Sequence, residues 1–182
     1  QGGQGARYAK DGVSTTVFPP NVMNTPVEMF EAETPMLCEQ KALIPDSGGA
    51  GRHRGGSAQR VVLRNTGQAP IVGSVVGGRF EQGAKGLAGG RAGSKGAIHV
   101  NGTRLPRSEQ VVLHSDDRLE LTYPGGGGFG EPAERNVEAI LGDLDAGVIT
   151  AEKASQDYPS AQEALSRRGR LSPGPGDDHE PT

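Results

Sequence analysis

A mostly β, α+β fold is predicted by three features of the 182-residue sequence. Short β-branched runs recur between Gly-, Pro- and Asn-containing turns, a helical period appears only late in the chain, and thirty glycines sit in short runs between apolar segments. No collagen-like repeat organises those glycines. With 33% hydrophobic residues, 4% aromatics and no Trp, the core has to come from Val, Leu, Ile and Ala. The net charge of −3 offers no general attraction for nucleic acid or membrane surfaces. No apolar run approaches the roughly 18 residues of a membrane span, and no signal peptide is visible. Cys38 is the single cysteine, which excludes an internal disulfide framework and suits a reducing cytoplasm. The chain opens on Gln1-Gly2-Gly3, inside a glycine loop and without Met, so it is expected to continue a longer polypeptide.

Residues 1–12 form a first glycine-rich polar loop carrying Arg7, Lys10 and Asp11. A short strand is expected over 13–18, stopped by Pro19-Pro20. Asn24 or Thr25 is a helix N-cap with Pro26 at the first helical position, and the helix runs to Glu33. Strands follow over 36–44 and 58–65, on either side of the segment 45–56, where Asp46, Ser47, Arg52, His53 and Arg54 stand among five glycines. A segment without helical or strand period is either flexible filler or a backbone fixed around a polar, anionic group, and the strands on either side favour the second. Residues 71–76 give another strand, and Asn101-Gly102 predicts a hairpin within 97–105. Strands over 110–114 and 118–123 flank the turn Ser115-Asp116-Asp117, and alternation in the second predicts one wet face. A third glycine loop, 124–130, precedes a helix with Asn136 as N-cap, an apolar stripe at Val137, Ile140, Leu141 and Leu144, and Gly147 as its stop. Thr150 caps a second helix to about Asp157. Residues 1–165 are read as one ordered region and 166–182 as a disordered tail, on the tail's Arg, Ser, Gly, Pro and Asp composition.

Several familiar sites fail on order or spacing. Asp46-Ser47-Gly48-Gly49 looks like a trypsin-type nucleophile loop, but the first histidine, His53, follows the serine, Pro45 precedes Asp46 and the disulfides are missing. Gly3-Gln4-Gly5 begins a dinucleotide-binding spacing that Tyr8 breaks, and no Gly-Lys-Ser or Gly-Lys-Thr phosphate loop occurs. The histidines at 53, 99, 114 and 179 lack metal-ligand spacing. Arg52-His53-Arg54-Gly55-Gly56 is a lone RGG-like element without stacking aromatics.

The motifs in their order resemble the C-terminal part of the hydantoinase B and 5-oxoprolinase family, which also includes subunits of acetone and acetophenone carboxylases. The resemblance runs from about Gly2 to Tyr158. It is carried by Gly2-Gly3 with Gly5-Ala6-Arg7 and Asp11-Gly12, and by Asn24-Thr25-Pro26-Val27-Glu28 with Glu31. Further on it is carried by Pro45-Asp46-Ser47-Gly48-Gly49 with Gly51 and Arg54-Gly55-Gly56, by Gly86-Leu87-Ala88-Gly89-Gly90, and by Asn101-Gly102 with Leu105-Pro106. Thr122, Pro124-Gly125-Gly126-Gly127-Gly128-Phe129-Gly130, Pro132 and Asp157-Tyr158 complete it. Departures occur at 81–85, which lacks the usual prolines and aromatic residue, at Ser115-Asp116 in place of Gly-Asp, and at Pro159, where a longer tail begins.

The resemblance implies one component of an ATP-dependent cyclic amide hydrolase. A hydantoinase A-type partner, holding ATP and Mg, phosphorylates a small hydantoin or lactam, and the B component completes hydrolysis. The alternatives are a ketone carboxylase subunit and a non-catalytic assembly module. A divalent metal is expected in the family's N-terminal half, and no metal ligand is assigned in this chain. Because the phosphorylated substrate is an anion, Arg7, Arg52 and Arg54 are expected to bind phosphate or carboxylate. Asp46 orients an arginine or acts as an acid/base group, so the catalytic set is Asp46, Arg52 and Arg54. Substrate binding is assigned to Arg7, Asp11, Ser47, Gly48, Gly49, Gly126 and Gly127, with backbone N–H groups of the four glycines facing a developing oxyanion. For Asp46 and Ser47 a plain turn with side-chain caps is the alternative.

Overall fold

The computed structural model describes residues 2–16, 25–76, 78–106 and 108–171. Its elements are α1 (Val27–Glu33), β1 (Met36–Ile44), β2 (Ala58–Asn65), β3 (Ile71–Val76), β4 (Ala97–Val100), β5 (Thr103–Arg104), β6 (Ser108–Leu113), β7 (Arg118–Thr122), α2 (Val137–Asp145), α3 (Ala151–Asp157) and α4 (Ala161–Leu171). A single 3-10 turn, Pro132–Glu134, precedes α2. The fold is α+β and mostly β, as the β-branched runs predict.

Five strands form an antiparallel sheet in the order β1-β2-β7-β4-β5, and β3 pairs with β6 in a second, two-stranded sheet. Asn101 and Gly102, both at positive φ, make the turn between β4 and β5. One face of the larger sheet is charged: Arg60 pairs with Glu120, and a bulge between Cys38 and Gln40 turns Glu39 towards Arg64 and Arg118. The other face carries Ile98, Leu119 and Leu121, which pack with Phe80 and with Val111 and Leu113 of the smaller sheet. Asn65, fully buried, ties the two sheets together by donating to the carbonyls of Ala69, Leu113 and His114.

A second apolar cluster lies among the helices, where Ile140, Leu144, Ile149, Ala154, Tyr158, Ala161 and Ala164 enclose Ala50. The Asn136 side chain caps α2 and that of Thr150 caps α3, both as expected.

Between the clusters runs a body with neither ladder nor helix. The stretch 124–128 hydrogen-bonds to backbone on several sides: Gly3 N–H to Pro124 O (2.9 Å), Gly49 N–H to Gly126 O (2.8 Å), Gly126 N–H to Gly56 O (2.9 Å), Leu87 N–H to Gly128 O (2.9 Å) and Gly128 N–H to Arg91 O (2.9 Å). A sheet strand has neighbours on two sides only. This central chain is surrounded, as in collagen, where glycine alone fits at the crowded axis. A Cβ on Gly126 would lie 2.0 Å from Gln4 O, and one on Gly55 would lie 1.9 Å from Gly126 O.

Three expectations need correction. The described part of the 13–18 segment is not a strand: Thr15 sits at φ +50°, and Gln4 N–H bonds to Val13 O as part of the glycine body. The rest of that segment and Asn24 lie outside the described residues. Pro26 is itself the cap of α1, at φ −55° and ψ 144°, and no side chain caps that helix. The tail expected from Ser166 is helical as far as Leu171, because Ala161, Ala164 and Leu165 put an apolar stripe against α2 and α3, while Arg167 pairs with Glu163 and Glu138. Residues 172–182 lie outside the described residues.

Two glycine substitutions separate the two kinds of site. Gly126→Ala is expected to destabilise by about 3 kcal/mol or more, since only backbone surrounds the added methyl. Gly142→Ala, in α2 with nothing within 4 Å, is expected to stabilise by about 0.5–1 kcal/mol. Denaturant unfolding of both variants measures the contrast.

Candidate functional site

The glycine body brings the sequence-predicted residues into three settings. At one end, Arg7 and Lys10 close a tight turn (Arg7 N–H to Lys10 O, 2.9 Å) and both are exposed. Arg52 reaches this turn through a long bond to Tyr8 O (3.4 Å) and a long ion pair with Glu134 (3.4 Å), and its side chain is 42% exposed. Among the described residues neither Arg7 nor Lys10 has an ion pair. Leu87 and Phe129 bracket the same end: His53 N–H donates to Phe129 O and Gly130 N–H to Leu87 O. Three cations with loose or no partners thus stand on or against one turn, an arrangement able to take up phosphate or carboxylate.

Arg54 and Asp11 occupy a different setting. Asp11 accepts the Arg54 N–H (2.8 Å) and two bonds from Arg135 (2.9 and 2.8 Å). Arg54 Nε donates to Asp143 (2.8 Å), and Arg135 donates to Asp143 as well as to Arg52 O (3.1 Å). The Arg135 side chain is 1% exposed and lies 5.7 Å from the Tyr158 ring centroid. Burial works to raise the Asp11 pKa, but the hydrogen bonds and charge of Arg135, with those of Arg54, outweigh it and hold the carboxyl below its ordinary 3.8. Burial pushes the Tyr158 phenol up to about 12, although the Arg135 charge works against this. Two guanidinium and two carboxylate groups therefore pair with one another inside the protein, with Arg135 Nε left without a partner. Arg54 and Asp11, expected at a substrate, serve as struts between the glycine body and α2.

Arg135, Asp143 and Tyr158 did not emerge as site residues from the sequence. One signal was available: Asp143 lies within the apolar face of α2, three residues after Ile140 and beside Leu144, and a carboxylate there requires a buried partner.

The third setting is a cleft of about 220 Å³ that gathers Asp46, Ser47, Gly48 and Gly49 with Arg91, Ser94, Lys153 and Asp157. Asp46, at φ +60°, accepts from both the N–H (2.7 Å) and the hydroxyl (2.9 Å) of Thr150, which ties it to the start of α3. The Ser47 hydroxyl donates to Ile44 O and accepts the Ala58 N–H (2.8 Å), and the residue is buried. The turn-and-cap alternative therefore describes the contacts of both side chains. Asp157 is buried and holds Arg91 and Lys153, so cations and carboxylates balance in this cleft. The N–H groups of Gly49 and Gly126 bond to Gly126 O and Gly56 O, which leaves neither to face an oxyanion. Arg7 and Arg52 do not line the cleft.

Among the described residues no three His, Cys, Asp or Glu side chains come together as metal ligands, and no helix is long and apolar enough to cross a membrane. No Gly-Lys-Ser or Gly-Lys-Thr phosphate loop for ATP occurs in the sequence, and among the described residues no cluster of metal-ligating side chains offers a site for Mg.

The buried charges make stability sensitive to both mutation and acid. Arg135→Met takes the guanidinium shared by Asp11 and Asp143 away, leaving Asp143 with Arg54 alone and Asp11 with the Arg54 N–H and His53, and is expected to cost about 3–5 kcal/mol in denaturant unfolding. The lowered Asp11 pKa contributes stability that is present above about pH 4 and lost as pH falls through the lowered value. Asp11→Asn is accordingly expected to lower the melting midpoint at pH 7, and its gap to the parent protein is expected to close as pH is taken below about 4.

Comparison with known proteins agrees with this architecture. The model of the family described as hydantoinase B/oxoprolinase matches residues 1–132. The caprolactamase subunit beta of Pseudomonas jessenii is 31% identical over 150 residues, which cover 75% of this chain and 25% of that relative. The chain therefore spans about a quarter of the length of this relative. The crystal structure of the ATP-dependent caprolactamase from Pseudomonas jessenii superposes with a TM-score of 0.75 at 24% identity, covering 94% of this chain and 33% of that one. Nucleotide-free acetone carboxylase superposes with a TM-score of 0.69 at 19% identity, over 93% of this chain and 30% of that one. At these identities the two structures speak for a shared fold. The family match and the caprolactamase relative settle the rest: the chain belongs to the hydantoinase B/oxoprolinase family.

Proposed function

We propose that this chain forms the C-terminal part of the B component of an ATP-dependent cyclic amide hydrolase. The observation that carries the reading is the 31% identity to a caprolactamase beta subunit over three quarters of the chain. In this reading an A-type partner binds ATP and Mg, and ATP supplies the phosphoryl group that activates the lactam or hydantoin carbonyl. The residues of this chain contribute at the end of the glycine body where Arg7, Lys10 and Arg52 stand. Arg52 is the principal anion-binding group there. Its guanidinium is held by two long contacts that a phosphate or carboxylate can replace with short, charge-assisted bonds. Arg54 and Asp11 act through Arg135, which also fixes the Arg52 carbonyl, and so belong to the support of the site. Asp46 and Ser47 hold the loop on α3 and β2.

The test is ATP turnover by the complete subunit co-expressed with an A-type partner, with a lactam, hydantoin, 5-oxoproline or ketone plus bicarbonate offered in parallel. Ring opening coupled to ATP hydrolysis is expected, and Arg52→Ala is expected to lower kcat/KM by about tenfold or more while the complex still assembles. Arg7→Ala is expected to act in the same direction. Bicarbonate-dependent turnover would instead make the assembly a carboxylase. Unchanged turnover in both arginine variants would leave the chain an assembly module.

A further inference from the structure

A second concavity, away from the arginine-bearing turn, lies where the two sheets meet the glycine body. It has a volume of about 510 Å³, within the range of small-ligand sites. Phe80, Ile98, Leu121, Tyr123 and Pro124 give it an apolar lining, and among the described residues that line it Arg79 is the only charged one. Among the described residues no carboxylate lines this cavity; Glu81 lines a neighbouring one that shares Phe80. Among the described residues Arg79 has no ion pair. Its backbone is held at φ +59°, in the left-handed region that a non-glycine residue occupies at a cost, and Gly96 N–H fixes its carbonyl at 3.2 Å. Phe80 is held in turn by Gly96, where an added Cβ would lie 2.7 Å from the ring. The loop thus presents an unpaired cation beside an apolar cavity, with Gly96 against both Arg79 and Phe80.

We propose that this cavity is a binding site for a small monocarboxylate with an apolar body, its ring or chain against Phe80, Ile98 and Leu121 and its carboxylate on Arg79. A single cation without a competing acid selects for negative charge, and the apolar lining selects for carbon next to it. The site is separate from the anion-binding end proposed above and does not depend on that reading.

Benzoate and hexanoate are the probes, with benzyl alcohol as the neutral analogue, titrated into the full chain and followed by amide and methyl chemical shifts. Shifts centred on Phe80, Ile98, Leu121 and Tyr123 are expected, with a benzoate Kd of about 1 mM for so small a ligand. Benzoate is expected to bind about tenfold more tightly than benzyl alcohol, and Arg79→Gln to abolish that preference without moving the melting midpoint. Ala97→Phe, which puts a ring on another residue of the lining, is expected to remove binding of both. Should that variant fail to fold, the Arg79→Gln comparison decides alone. Equal binding of benzoate and benzyl alcohol to the parent chain would overturn the proposal. So would shifts centred on Arg7 and Arg52, or no shifts at all.

Discussion

Backbone hydrogen bonding between glycine-rich chains is the interaction on which the rest of this structure depends. The stretch 124–128 is bonded to segments near residues 3, 49, 56, 87 and 91, which are distant in sequence and brought within a backbone's width of one another. Ordering glycine costs more conformational entropy than ordering any other residue, and a glycine-only interior buries little carbon. Two features offset that cost. Each chain finds bonding partners in several directions, and apolar clusters flank the body on both sides, one between the sheets and one among the helices. A composition with few aromatics is therefore compatible with a firmly specified fold.

The same arrangement explains why charge is used inside. Where the glycine body meets α2 there are few side chains to interlock, so the join is made by long ones. Arg54 and Arg135 reach from loops to Asp143 on the helix, and Asp11 receives both from the opposite side. Such a network adds little stability over an apolar replacement, but losing one member leaves buried charge unmatched. It fixes where the turn bearing Arg52 sits, because Arg135 also holds the Arg52 carbonyl. Packing, electrostatics and the placement of the candidate site thus meet in one side chain.

What could be read from the sequence was what local chemistry determines. β2 and β3 follow from β-branched runs, β7 from polar and apolar alternation, the β4–β5 turn from Asn101-Gly102, and α2 and α3 from their caps and stops. α4 as a whole was not foreseen, and its part past Ser166 was hidden because Arg167 and Arg168 look like tail composition until their partners Glu163, Glu138 and Asp145 are placed. The site was less legible for a related reason. Whether a glycine N–H is free depends on a carbonyl far along the chain, and no side-chain period marks the pairing. Asp11 and Arg135 are 124 residues apart, and nothing near either one announces the other. Asp46 shows the same limit: its carboxylate is satisfied by Thr150, 104 residues on.

The arginines divide accordingly, and the division bears on function. Arg54 and Arg135 are mostly or wholly buried, and they donate to carboxylates and carbonyls of the protein, although Arg135 Nε lacks a partner. A guanidinium engaged in this way has little to offer a ligand, however suggestive its motif. Arg7, Arg52 and Arg79 stand on turns or loop rims, with long contacts or no ion pair, on backbone that the glycine body or a neighbouring strand holds in place. Recognition of an anion needs both parts: donors not already used and a support that does not move when the anion arrives. In this chain the buried arginines provide the support and the exposed ones carry the unused donors, so residues of one type, some of them two positions apart in the sequence, have opposite roles.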